Sequence, residues 1–265
     1  ATADPGGVPW GSRFPYITIR DSVRAEARLM DALGIGQWHS VIGGSLGGAR
    51  ALEWALMYPD RVQRCAVIAC TAASSAEQIA FAQAQLRSIR LDPGFAGGDY
   101  YSGPGPVDGL GLARRIAHIT YRSEPELQDR FGRSAQGAET PFGCSAPAER
   151  GRYQVESYLD HQAEKLVARF DANSYVLLTE ALMGHDAGRD RGTLEEALRR
   201  ASATFFIAAV DSDRLYYPVQ SDTLAQALPG EVSVNMISSP IGHDAFLTEI
   251  HQLDGRLREA FYSGR

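Results

Sequence analysis

Cysteine is scarce in this chain. The three residues among 265, Cys65, Cys70 and Cys144, have no metal-ligand spacing and no even number to pair. Neither a metal site nor a disulfide framework is expected, and the usage suits a reducing cytoplasm. No apolar run reaches the roughly 18 residues of a membrane-spanning helix, so no membrane association is expected. A surplus of positive charge is also lacking. The 26 lysines and arginines against 32 acidic residues leave a net charge of -6. That balance argues against nucleic acid as a partner, because phosphate binding needs a basic surface. The opening ATADPGGVPWGS has neither the basic start nor the apolar stretch of a secretory leader. It is Gly/Pro-rich loop sequence with no strand before it, so the chain reads as entering a fold part-way. What is present is a globular composition, 44% hydrophobic and 22% charged. That is enough to bury the core of one large domain, or of a core with an insertion.

Asp21 or Ser22 can cap a helix with apolar positions Val23, Leu29, Met30 and Leu33, ended by Gly34. A short apolar strand over 38–42 then runs into Gly43-Gly44-Ser45-Leu46-Gly47-Gly48. A helix follows over 49–57, and a buried-strand pattern over 65–70. This alternation implies a parallel sheet. Residues 73–200 change character: helical patterns occupy about 74–90, 109–119, 123–131, 152–169 and 173–183, between Gly/Pro-rich loops. We read 73–200 as a helical lid inserted into a core made of 1–72 and 201–265. The strand pattern returns over 203–210, continuous and apolar as in a strand buried on both faces. It ends in Asp211-Ser212-Asp213. A helix over about 219–228, a strand over 232–237, the loop Ser238 to Asp244 and a last helix over about 245–261 complete the chain.

Gly43-x-Ser45-x-Gly47 between a strand and a helix is the nucleophile-elbow pattern of the α/β-hydrolase fold. A bare GxSxG occurs by chance; the strand before it and the helix after it make it specific. The serine occupies a strained turn where bulky neighbours would clash. The Leu46 N–H, at the start of the helix, can donate to an oxyanion. In this fold the acid and then the histidine follow the serine in the chain. Of six histidines, only His243 and His251 follow the late acidic pair. His251 falls inside the last helix. His243 lies in the loop straight after the last strand, where a base can reach the serine. His39 precedes the nucleophile, and His118, His161 and His185 fall in the helical insertion, where surface or packing roles are expected. Asp211 and Asp213 both follow the strand over 203–210, and periodicity does not separate them.

Longer motifs carry a resemblance. Gly44-Ser45-Leu46-Gly47-Gly48-Ala49-Arg50-Ala51-Leu52-Glu53-Trp54, Ser212-Asp213-Arg214-Leu215 and Gly242-His243-Asp244-Ala245-Phe246-Leu247 resemble those of the homoserine O-acetyltransferase family. So do Ala113-Arg114-Arg115-Ile116-Ala117-His118-Ile119-Thr120-Tyr121-Arg122, Val155-Glu156-Ser157-Tyr158-Leu159 and Arg169-Phe170-Asp171-Ala172-Asn173-Ser174-Tyr175. The resemblance spans about residues 8–261. Leu46 departs from it, since the family more often has methionine there; a backbone donor is unaffected.

The resemblance implies the catalytic set Ser45, Asp213 and His243, with substrate roles for Arg114, Tyr121 and Asp244. An arginine can hold the homoserine carboxylate in a fork of hydrogen bonds, and an aspartate beside the histidine can hold the ammonium. It further implies an acetyl-CoA co-substrate with no tightly bound cofactor, a methionine-biosynthetic role in a bacterial cytoplasm, and a homodimer formed through lid helices. Val155, Tyr158, Leu159 and Leu166 suit either such an interface or packing within one chain. In the family, strands and an oxyanion-hole loop precede the point where this chain begins, so an N-terminal part is expected to be missing. The strand over 38–42 is then expected to have an unpaired, aggregation-prone edge. Other readings are succinyl-CoA as donor, serine as acceptor, a serine esterase, and an inactive truncated remnant.

Overall fold

Residues 2–137, 139 and 151–262 are described by a computed structural model of the chain. Cys144 lies outside the described residues. In chain order the elements are α1 (Ile19–Ala32), β1 (Val41–Gly44), α2 (Leu46–Met57), β2 (Arg64–Ile68), α3 (Ala76–Leu91), α4 (Val107–Tyr121), α5 (Glu124–Phe131), β3 (Ala135–Gln136), β4 (Arg152–Tyr153), α6 (Gln154–Val167), α7 (Ala172–Met183), α8 (Leu194–Leu198), β5 (Thr204–Val210), α9 (Pro218–Ala227), β6 (Val234–Ile237), α10 (Ala245–Thr248) and α11 (Ile250–Tyr262).

Two compact units result. One comprises Pro15–Ala80 with Leu177–Arg265, the other Ala1–Phe14 with Phe81–Val176. The divisions therefore fall inside α3 and α7, not at residues 73 and 200 as the change in sequence pattern suggested. The physical reason lies in packing. Ala181, Ala187 and Leu198 are buried in the same apolar cluster as Leu52, Cys65 and Ile207, so the last part of the helical stretch belongs to the sheet-bearing unit. Helical periodicity alone does not say which core a helix joins.

The sheet-bearing unit has four strands in the order β1-β2-β5-β6, all parallel. Val41 lies opposite Cys65, Cys65 opposite Phe205, and Ile207 opposite Val234. Central β5 is apolar from Phe205 onward and covered on both faces from Phe206, and Ile207, Ala208, Ala209 and Val210 are inaccessible to solvent. β1 is an edge strand, with Ile42 54% exposed. Because every strand runs the same way, the segments that follow β1, β5 and β6 emerge at one edge of the sheet. In open α/β sheets that carboxyl edge is where sites form.

Several local boundaries differ from the sequence reading. α1 starts at a Thr18 cap, not at Asp21 or Ser22. Thr18 and Asp21 make a reciprocal capping box, with the Asp21 N–H donating to Thr18 Oγ1 (3.1 Å) and the Thr18 N–H to Asp21 Oδ2 (2.9 Å). Its buried stripe is Ile19, Val23, Ala27 and Met30, whereas Leu29 and Leu33 face solvent. The first strand pairs only from Val41, Trp38 making a single bridge to Val62. The last helix is broken at Glu249 into α10 and α11.

In the other unit α4 packs along α6, and Arg115 of α4 is paired with Asp160 of α6 at 2.6 Å. Ile89, Phe95, Leu110, Ala113, Leu166 and Ala172 form its core. Leu166 is thus internal, while Val155, Tyr158 and Leu159 are half-buried.

Candidate active site

Ser45 sits between β1 and α2 with φ 55° and ψ -125°, a conformation L-residues rarely adopt. Hydrogen bonds hold it there: its N–H donates to the Ile68 carbonyl of the neighbouring strand (2.9 Å), and its carbonyl accepts from Gly48 N–H (2.8 Å). Leu46 is the first residue of α2. N–H groups in a first helical turn have no intrahelical acceptor, so they leave a donor-rich, electropositive end beside the serine.

The glycines around Ser45 are not equivalent. A Cβ on Gly43 would overlap the Gly47 carbonyl, one on Gly44 would overlap the Phe246 ring, and one on Gly48 would come within 2.7 Å of Cys70 Cβ. A Cβ on Gly47 would meet nothing within 4 Å. The second glycine of the motif is therefore not the sterically required one; Gly48 is. Gly43→Ala is expected to prevent native folding. Gly47→Ala, inside a helix, is expected to leave stability unchanged or raise it by up to about 1 kcal/mol. Urea unfolding of the two variants checks the contrast, and equal loss in both would refute it.

Asp213 and His243 meet at this same sheet edge. His243 Nδ1 lies 2.7 Å from Asp213 Oδ2, with both side chains almost fully buried. The other carboxylate oxygen, Oδ1, accepts from the Leu215 N–H (2.8 Å) and the Tyr216 N–H (2.9 Å). Asp211 turns elsewhere: its carboxylate accepts from Ser238 Oγ (2.8 Å) and Ser239 N–H (3.0 Å), bracing the loop that leads to His243. The imidazole is held between the face of Tyr216 (5.2 Å, 28°) and Phe246 (5.4 Å, 66°). Phe246 also lies against Gly44, which brings the His243 cage next to the nucleophile turn. Sequence reasoning assigned no role to Tyr216 or Phe246. The signal for Tyr216 was its place beside Asp213, and for Phe246 its place in the motif that carries His243.

The arrangement can activate a hydroxyl nucleophile, since a base oriented by a buried carboxylate and a helix-terminal donor occupy one sheet edge with Ser45. Cys70, beside Gly48, is not an alternative nucleophile, because burial pushes its thiol up to about 12. Asp244 follows His243 at the start of α10. Among the described residues no cluster of three or more His, Cys, Asp or Glu side chains could hold a metal. No helix among them is long and apolar enough to cross a membrane.

Arg114 and Tyr121 lie on α4 in the other unit, with the guanidinium 5.8 Å from the Tyr121 ring centroid. The Arg114 Nε is buried without a hydrogen-bond partner among the described residues. His118, expected at a surface or in plain packing, is 4% exposed and surrounded by charged and aromatic groups. His251 is exposed, and His39 stacks on Tyr262.

A serine on a strand-to-helix turn, with acid and histidine on later loops of a parallel sheet, defines an α/β-hydrolase-type protein, and residues 2–250 match the model of the alpha/beta hydrolase fold family. A homoserine O-acetyltransferase from Thermobifida fusca is 55% identical over 257 residues, which is 96% of this chain and 66% of that protein. The crystal structure of homoserine O-acetyltransferase from Bacillus anthracis superposes with a TM-score of 0.90 at 26% identity, covering 98% of this chain and 70% of that one. An acetylester hydrolase from Corynebacterium glutamicum shares the fold at a TM-score of 0.82 and 27% identity, covering 98% of this chain and 71% of that one. The chain belongs to the homoserine O-acetyltransferase family, and it spans 66% to 69% of the length of the first curated relatives it matches.

Proposed function

We propose that the protein transfers an acetyl group from acetyl-CoA to the hydroxyl of L-homoserine through an acetyl-Ser45 intermediate, a step of methionine biosynthesis. The observation that carries this reading is the buried Asp213–His243 pair, bonded at 2.7 Å on the sheet edge that presents Ser45 on its strained turn. The choice of donor and acceptor is supported by the 55% identity to a homoserine O-acetyltransferase.

In the first half-reaction His243 Nε2 takes the proton of Ser45 Oγ as the oxygen attacks the thioester carbonyl. The Leu46 N–H and a second donor hold the oxyanion. The C–S bond breaks, and CoA leaves with the proton from His243. In the second half-reaction the homoserine hydroxyl gives its proton to His243 and attacks the acetyl carbonyl, and Ser45 departs with that proton. Asp213 keeps the imidazole in the required tautomer and stabilises the imidazolium. Arg114 and Tyr121 bind the carboxylate end of homoserine, and Asp244 binds its ammonium. Acetyl-CoA acts as co-substrate, with no tightly held cofactor. Association into a homodimer through helices of the Phe81–Val176 unit, and a cytoplasmic location, complete the proposal.

The fold also carries an acetylester hydrolase, so water is the competing acceptor. Intact-protein mass spectrometry after mixing with acetyl-CoA separates the two. An acetyl adduct on Ser45 that is discharged only on adding L-homoserine is expected. An adduct that decays equally fast without it would establish an esterase, and an adduct formed from succinyl-CoA but not acetyl-CoA would reassign the donor.

A further inference from the structure

We propose that His118 is a second hydrogen-bond donor to the carboxylate of the acceptor amino acid, one helical turn from Arg114. The inference rests on the reading of Arg114 as the carboxylate's partner and extends it to a residue with no assigned role.

Positions 114, 118 and 121 of α4 share one helix face. Two buried polar atoms there lack a partner among the described residues, Arg114 Nε and His118 Nε2. Buried polar atoms in folded proteins are nearly always bonded, so two orphans on one face mark a place where something else bonds.

The charge around them is unbalanced in one direction. Arg114, Arg122 and Arg130 all act on the His118 ring. Among the described residues the cluster holds one carboxylate, Glu126, whose Oε1 accepts from Arg130 at 2.8 Å and Arg122 at 3.4 Å and whose Oε2 is buried without a partner among them. Burial, and then those three guanidiniums, push the imidazole down to about 3, so it is uncharged at neutral pH.

A neutral imidazole has one donor and one acceptor nitrogen, and its neighbours decide which is which. His118 Nδ1 lies 3.1 Å from the Tyr158 hydroxyl. Arg130 covers the face of the Tyr158 ring at 4.9 Å. The Tyr158 hydroxyl can give its hydrogen to His118 Nδ1, and we take this direction for the bond. The ring hydrogen then resides on Nε2. The bond from Tyr158 to His118 thus leaves a buried, uncharged N–H donor, on the face that also carries the Arg114 Nε–H. Two donors amid surplus positive charge suit a carboxylate, one oxygen for each.

Steady-state kinetics of the intact enzyme test this, using His118→Leu and His118→Gln with L-homoserine and with 3-aminopropan-1-ol, its analogue without the carboxylate. His118→Leu is expected to raise KM for L-homoserine about tenfold with a smaller change in kcat. His118→Gln, whose amide N–H can stand near the Nε2 position, is expected to recover most of that loss. With 3-aminopropan-1-ol, as acceptor or as inhibitor against L-homoserine, wild type and His118→Leu should agree within about twofold. An equal loss with both compounds would reduce His118 to packing. A rise confined to the KM for acetyl-CoA would give the anion to a CoA phosphate instead. Unchanged kinetics in His118→Leu would sink the inference alone, whereas a wild-type enzyme that fails to acetylate L-homoserine would remove the functional reading and this inference with it.

Discussion

Asp213→Asn is expected to lower kcat by about 10⁴ without unfolding the protein. The hydrogen-bond pattern dictates why. Two backbone N–H groups, of Leu215 and Tyr216, point at Oδ1. An asparagine must therefore place its amide oxygen there and its NH₂ at the Oδ2 position, facing His243 Nδ1. An NH₂ group can only donate, so Nδ1 becomes the acceptor and the ring hydrogen moves to Nε2. The nitrogen that should take the Ser45 proton then has no lone pair to take it with. Shape, burial and both backbone bonds are retained, so the thermal midpoint should shift little. Turnover within tenfold of wild type would show that the Asp213–His243 bond does not serve the chemistry.

Glu53→Ala is expected to cost about 3–5 kcal/mol of stability, because it strands buried guanidinium groups. The Glu53 side chain is 1% exposed and receives Arg191 at 2.7 Å and Arg20 at 3.1 Å, whose side chains are 9% and 19% exposed. Arg20 also donates to the carbonyls of Asp186 (3.1 Å) and Arg189 (2.8 Å), so one carboxylate ties α1, α2 and the 186–191 loop together. Removing it leaves the Arg191 guanidinium in low dielectric without its carboxylate, and Arg20 with only the exposed Asp190 at 3.9 Å. Calorimetry should show a fall in the melting temperature on the order of 10 °C. Glu53→Gln, which keeps volume and one acceptor, should lose less. A midpoint for Glu53→Ala within a degree or two of wild type would mean that both arginines find other partners.

Much of the sheet-bearing unit was legible because its signals are local. Strand, turn and helix around Ser45 follow one another within a few residues, and the apolar run over 203–210 has no other reading than a doubly covered strand. Other features needed the folded chain. The Thr18 cap was missed because Asp21, read as the cap, is its partner three residues on. Leu29 and Leu33 stand with Val23 and Met30 as apolar positions of the first helix, and only the latter two lie on the buried stripe of α1 with Ile19 and Ala27; apolar character alone does not give the direction of a side chain. Glu53 stood in a quoted motif, but its burial depends on Arg20 and Arg191, which come from distant parts of the chain. The cluster about His118 likewise draws on α4, α5 and α6, so no window along the chain contains it.

By itself the sequence determined the fold class, the strained turn at Ser45 and the histidine that follows the last strand, since each depends on residue types next to one another and on their order. Periodicity and spacing left open which carboxylate meets that histidine; the resemblance pointed to Asp213, and the tertiary structure shows the contact and its cause. Asp211 and Asp213 leave the same strand two residues apart and are alike in composition and spacing. Their side chains diverge only when the turn closes, sending Asp211 to the Ser238–Ser239 loop and Asp213 to His243. That is a difference of direction, which packing sets and residue order does not.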